Sequence, residues 1–321
     1  MNIKFKKKLF FYKLISSVKN SKTSFKYKKG WIIKLNIKDE SIGFGEISPL
    51  KEKDFSICEK EIDKIPENVN KDELMETINN FHPCIQSGIN SAFGEMEGTL
   101  NFKDKYKFNE IDESAILLNS WFTIDEIKKI KRLNISDKKI ITIKWKVGLQ
   151  NYKIEEKILE DILNLIGTDF RLRIDANGAW NRKIANRWAD ILKNDKNIDW
   201  LEQPLAIDDL EGLKELNKKI PVALDESLIK YPKLVNLWDG WQIRRPSQES
   251  NPLKLFQELN TKKSMRCISS SFETGIGRRM LYHLSSLQLI GPTPKVPGLA
   301  LKQMPDGILF KNNPQLVWNN L

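Results

Sequence analysis

The chain has 321 residues, 40% of them hydrophobic and 30% charged, with a formal net charge of +11. That length suits one large barrel-sized core plus a smaller unit, and the apolar runs fall well short of the ~20 residues that a membrane-spanning helix needs. The lysines are spread along the chain and mixed with Glu and Asp, as in KEKDF and KIEEK, so the charge reads as a solvated basic surface that attracts small anions, and nucleic acid is not an expected partner.

The start, MNIKFKKKLFFYKLISSVKN, has a basic front, but Lys13 interrupts its short apolar run and no small-residue cleavage site follows. It therefore reads as a strand, not an export signal, and a cytoplasmic protein with no membrane partner is expected. Residues 2–14 and 30–38 predict paired strands with a polar segment between them. GFGEISPL at 43–50 predicts a turn-rich loop, because Gly43 and Gly45 permit unusual backbone angles and Pro49 stops a strand. Helices are predicted over 55–64, 71–80 and 87–100. Cys58, Cys84 and Cys267 are widely spaced with no CxxC, which fits a reducing compartment and argues against disulfides or zinc. His82 and His283 are the only histidines, and both are expected to pack, not to catalyse.

After a charged linker, NFKDKYKFNEID, the texture changes. Eight short β-type runs (SAILLNSW, KIITIKWKVG, FRLRIDANG, NIDWLEQP, IPVALDES, GWQIRRPS, RCISSS and TPKVPGLA) alternate with amphipathic helical stretches. This is the cadence of a β/α barrel, with a doubly wound open sheet as the alternative. The expected organisation is α/β: an α+β capping domain over 1–105, a barrel over 106–301, and a tail, 302–321, that returns to the cap.

Active sites of such barrels lie at the carboxyl ends of the strands. Run two ends Lys144-Trp145-Lys146, and strand alternation puts both lysines on one face. An isolated pair of this kind more often faces solvent. Facing inward, desolvation and the like-charged neighbour would lower a lysine pKa and make a general base. Runs three, four and five end with Asp175, Glu202 and Asp225. Three such acids repel one another unless a cation lies between them, and hard carboxylate oxygens suit Mg2+, with Mn2+ as a substitute. Asn177 is either a supporting ligand or a turn residue before Gly178, and Asp208 and Asp209 read as helix caps. Run six ends Arg244-Arg245-Pro246, with Arg245 expected to face inward. Ser270 and Ser271 end run seven, where hydroxyls and a following helix start could hold a carboxylate, and Gly298 in run eight permits close approach of a ligand.

The order KxK, DANG, EQP, LDES resembles the enolase superfamily, which uses a Lys or His base with one or two Mg2+. GFGEISPL and SSSFETGIG resemble motifs of its o-succinylbenzoate synthase family, and the likeness runs through essentially the whole chain. The resemblance implies a (β/α)7β TIM-like barrel under a cap. It also implies Mg2+-dependent syn-dehydration of 2-succinyl-6-hydroxy-2,4-cyclohexadiene-1-carboxylate in menaquinone or phylloquinone synthesis. Lys146 is then the base, Lys144 its neighbour, and Asp175, Glu202 and Asp225 the metal ligands. One departure stands out: the family's Lys-Pro after strand six is here Arg245-Pro246. Arginine is a poor base, though it can stabilise an anion. The alternatives are an N-succinylamino acid racemase, a dipeptide epimerase, a sugar-acid dehydratase, or a non-catalytic binding protein on the same fold.

Overall fold

The computed structural model describes residues 1–19, 24–37, 41–100, 113–119, 122–133, 140–261 and 265–321. The chain opens with β1 (Asn2–Lys19), β2 (Ser24–Ile37), β3 (Ser41–Ile47), α1 (Glu52–Ile62), β4 (Asn68–Asn70), α2 (Lys71–Ile78) and α3 (Pro83–Met96). The four strands form one antiparallel sheet in the order β3-β2-β1-β4. Alternation along β1 buries Phe10, Tyr12 and Leu14 while Leu9, Phe11 and Ile15 stay exposed. β2 begins at Ser24, earlier than the expected strand, because the stretch Tyr27-Lys28-Lys29 is drawn into register with Lys13, Tyr12 and Phe11.

The predicted loop at 43–50 is corrected by the structure: residues 41–47 are a regular strand, β3. Its glycines serve close packing and not a turn. A Cβ on Gly43 would lie 1.9 Å from the Ala92 carbonyl oxygen, and one on Gly45 would lie 1.9 Å from that of Gly88. The strand therefore rests directly on the backbone of α3. That helix starts earlier than expected, with Pro83 in its first turn and His82 as its N-cap, accepting from the Cys84 N–H.

The second half supplies β5 (Ile116–Leu117), α4 (Thr123–Leu133), β6 (Ile141–Lys146), α5 (Tyr152–Leu165), β7 (Phe170–Asp175), α6 (Arg182–Leu192), β8 (Ile198–Glu202), α7 (Leu210–Asn217) and β9 (Val222–Leu224). It continues through α8 (Glu226–Lys230), α9 (Leu234–Leu237), β10 (Trp241–Arg244), α10 (Lys254–Glu258), β11 (Arg266–Ile268), α11 (Gly275–Ile290) and α12 (Pro314–Asn319). Strands β5 to β11 form a parallel sheet in sequence order. The eighth run closes it without forming a regular strand, since Pro294 and Pro297 lack donors. Gly298 bridges to Ser269, donates to the Ile268 carbonyl and accepts from the Ser270 N–H, while the Ala115 N–H donates to Pro297. The curled sheet is a TIM-type barrel. Trp200, Ala223, Trp241, Ile243 and Cys267 form one buried cluster, and a larger one gathers Ile143, Trp145, Leu172, Ile174, Leu201 and Trp188 between strands and helices.

The cap and the barrel share a buried seam: Phe10, Tyr12, Ile32 and Phe44 pack with Phe272, Ile276, Met304, Val317 and Trp318. The last five of these include tail residues, so the tail lies against the sheet. The expected boundary at 105 falls outside the described residues. All three cysteines are free and buried. No helix of the described residues is long and apolar enough to cross a membrane.

Two outcomes follow from this packing. Gly45→Ala drives a methyl group into backbone that cannot step aside, and chemical denaturation should show a loss of about 2–4 kcal/mol. Lys28 sits buried in the seam, donating to the Ser48 and Pro49 carbonyls. Burial pushes its pKa down to about 8 against the pull of Glu273 and Glu46. From about pH 8 up to the ordinary lysine range, the unfolded chain holds a proton that the folded chain has released, so stability rises with pH there. Denaturation curves between pH 7.5 and 9.5 should show that rise, up to about 2 kcal/mol, and Lys28→Met should flatten it.

Candidate active site

Strand register assembles the site. Parallel pairing sets Lys146 beside Asp175 and Asp175 beside Glu202, and Glu202 is followed by Ala223 on the next strand, two residues before Asp225. Trp145 packs outward against Trp188, with ring centroids 5.8 Å apart, so Lys144 and Lys146 both point inward. Lys144 Nζ lies 2.9 Å from Asp175 Oδ2 and 2.6 Å from Glu202 Oε1. Lys146 Nζ donates to Asp175 Oδ2 and to Asn177 Oδ1, each at 2.8 Å. Arg245 donates to both carboxylate oxygens of Asp225, from Nε at 2.8 Å and from Nη2 at 2.6 Å, and its Nη1 donates to the Ser270 carbonyl. Its neighbour Arg244 instead pairs with Glu249 and Glu258.

The electrostatics follow from burial and these partners. Burial opposes the Lys144 ammonium, yet Asp175 and Glu202 outweigh it and hold the pKa above the ordinary lysine value. The lowered pKa expected from desolvation and a like-charged neighbour is thus corrected for Lys144, because carboxylates surround it. Asp175 lies below its usual range: burial favours its neutral form, but Lys144 and Lys146 prevail. Arg245 does the same for Asp225 against burial. Glu202 is pushed up to about 7 by burial and by Asp175.

Residues 128–239 match the family model "Enolase C-terminal domain-like". The o-succinylbenzoate synthase of Thermosynechococcus vestitus is 28% identical over 271 residues, 78% of this chain and 80% of that protein. Among solved structures, the o-succinylbenzoate synthase from Thermosynechococcus elongatus BP-1, complexed with Mg in its active site, superposes with TM-score 0.75 at 21% identity, covering 99% of this chain and 100% of the other. The dipeptide epimerase from Enterococcus faecalis V583, complexed with Mg and L-Leu-L-Tyr, gives 0.71 at 20% identity, covering 95% and 96%. Residues 128–239 therefore carry the enolase pattern, and the fold of the chain is that of the enolase superfamily.

Within that superfamily frame, the structure brings Lys144, Lys146, Asp175, Glu202, Asp225 and Arg245 together. It treats the three predicted substrate contacts unequally. Ser271 Oγ is buried and has no hydrogen-bond partner among the described residues. The Ser270 hydroxyl is used within its own turn, donating to Glu273 Oε2 and accepting from the Phe272 N–H. Gly298 is occupied by the barrel closure, and a Cβ there would meet Ser269 Oγ at 3.3 Å. Asn177 adopts the left-handed region (φ 47°) and links Lys146 to Glu226. Asp209 caps α7.

Glu226 was missed from the sequence. Strand alternation would turn it away from Asp225, but Asp225 leaves the strand conformation (φ −123°, ψ −82°) and Glu226 starts a helix. The acid doublet in LDES was the available signal. Burial, with Asp225 and Asp175, pushes Glu226 above its usual range, and its Oε2 has no hydrogen-bond partner among the described residues.

Among the described residues, no three His, Cys, Asp or Glu side chains converge as a ready-made metal cage. Asp175, Glu202 and Asp225 are each paired with a cationic side chain instead. The donor set still fits a hard divalent cation. The buried acids Asp175, Glu202, Asp225 and Glu226 outnumber the cations Lys144, Lys146 and Arg245, and the raised Glu202 and the orphaned Glu226 oxygen mark the missing positive charge.

Removing one member of a buried pair exposes this balance. Arg245→Met leaves Asp225 buried and unpaired, and urea denaturation at neutral pH should show a loss of about 3–5 kcal/mol.

Proposed function

We propose that the chain is an o-succinylbenzoate synthase, eliminating water from 2-succinyl-6-hydroxy-2,4-cyclohexadiene-1-carboxylate by a one-base syn mechanism. The observation that carries this reading is the asymmetry of the two walls: an amine at Lys146 on one side, and on the other a guanidinium locked on Asp225. A racemase or epimerase needs a base on each face, and an arginine paired with a carboxylate is the poorest candidate for the second. Burial alone would lower the Arg245 pKa, but Asp225 holds it above even the ordinary guanidinium value. The likeness to the Thermosynechococcus vestitus synthase over most of both chains supports the same choice.

In this mechanism Lys146 takes the proton beside the substrate carboxylate, breaking the C–H bond. The ring hydroxyl then departs with that proton as water, and the ring becomes aromatic. Lys144, held charged, stabilises the negative charge that builds on the carboxylate, and Arg245 adds positive charge from the opposite wall. Asn177 orients the Lys146 amine. Asp175, Glu202 and Asp225 would hold Mg2+ (or Mn2+), with Glu226 close by, and the cation would supply electrostatic stabilisation of the same carboxylate.

Purified protein with Mg2+ should form o-succinylbenzoate, measured by its ultraviolet absorbance, and EDTA should stop the reaction. Absence of product from folded, Mg2+-loaded protein would sink the proposal. Faster α-deuterium exchange into N-succinylamino acids or dipeptides than water loss would favour the racemase or epimerase reading. Lys146→Ala should lower kcat by about 10³-fold or more, and near-full turnover would remove that residue from the role of base.

A further inference from the structure

The turn after β11 is held from two directions. Phe272 lies in the left-handed region (φ 63°), a conformation that a bulky aromatic residue rarely adopts. Such strain persists only where the surroundings over-determine it. From within, Glu273 accepts from Ser271 N at 2.8 Å, from Ser270 Oγ at 2.9 Å and from Ser247 Oγ at 2.5 Å. From the N-terminal sheet, the Tyr12 hydroxyl donates to the Phe272 carbonyl. Glu46 of β3 accepts from Thr274 N at 3.0 Å, Thr274 Oγ1 at 2.6 Å and Gly277 N at 2.9 Å. The fit is tight: a Cβ on Gly277 would lie 2.9 Å from Glu46 Oε2. The Tyr12 ring is fixed edge-on against Phe310, 4.9 Å away, and burial pushes its phenol pKa up, so it stays a donor. On its other side the same turn offers the Ser270 carbonyl to Arg245 Nη1, and that guanidinium holds Asp225.

We propose that Tyr12 and Glu46 are positioning residues for the active site: they clamp the Ser270–Thr274 turn in its left-handed form, and the turn sets Arg245 on Asp225. The N-terminal sheet thereby tunes the charge arrangement of the barrel from a distance, without touching substrate. This assignment rests on the proposed role of Arg245 beside the reacting carboxylate. A purely structural latch would hold the sheet on the barrel but leave Arg245 indifferent to it.

Tyr12→Phe keeps the ring and removes only the hydroxyl, so it tests the clamp with the fold intact. In the full-length protein, hydrogen exchange should quicken about tenfold or more in peptides covering 270–277, and also in those covering 241–249, which carry Arg245. In the o-succinylbenzoate assay, well below the unfolding temperature, kcat should fall about tenfold while KM stays within about twofold. Glu46→Gln, which keeps an acceptor oxygen, should lose less than Glu46→Ala. A double-mutant cycle of Tyr12→Phe with Arg245→Lys should be non-additive. Quicker exchange confined to 270–277, with unchanged kcat or an additive cycle, overturns the proposal. If the parent chain makes no o-succinylbenzoate, the functional reading fails by itself. Exchange at 241–249 then decides the clamp: quickened in Tyr12→Phe supports it, unchanged overturns it.

Discussion

Everything at the site depends on one buried carboxylate. Asp175 ends the third barrel strand fully buried, and the register of its parallel neighbour puts Lys146 directly beside it, with Lys144 on the same face. Taking that charge out of water is tolerable only because two ammonium groups meet it. Those ammonium groups can point inward only because Trp145, between them, finds its place outside against Trp188. A single alternation in six residues thus fixes both the outer packing of the barrel and the charge at its mouth.

From that pair the charge balance spreads around the barrel. Glu202 shares Lys144, Asp225 takes Arg245, and Glu226 is tied through Asn177. The arrangement leaves the acids in excess, which is the condition a divalent cation relieves. It also makes the two walls chemically different, with a primary amine facing a paired guanidinium. That difference, more than the shared fold, separates a one-base elimination from two-base chemistry, since epimerase and synthase structures superpose on this chain almost equally well.

The N-terminal sheet is more than a lid. Its third strand lies against α3 with no room for side chains at Gly43 and Gly45, and that intimacy delivers Glu46 to the start of α11. An anion at a helix N-terminus satisfies donors that have no partner inside the helix. Here the anion comes from over two hundred residues away in sequence, so the same interaction caps a barrel helix and docks one half of the molecule on the other.

The sequence by itself determined the barrel, the placing of both lysines on one face of their strand and the order of acids along the strand ends, because strand alternation and the carboxyl-end rule act on neighbouring residues. It also singled out Arg245 over Arg244. Only the tertiary structure decided the rest. Gly43 and Gly45 read as a turn because a glycine's need for a close neighbour is invisible until the neighbour, α3, is in place. Glu226 was passed over because Asp225 breaks the alternation that the sequence assumes. Lys144 is held charged and not freed to act as a base, since its environment is set by acids from two other strands. The Tyr12, Glu46 and Glu273 clamp joins segments far apart in the chain, and contacts of that range come from packing, which no local pattern records.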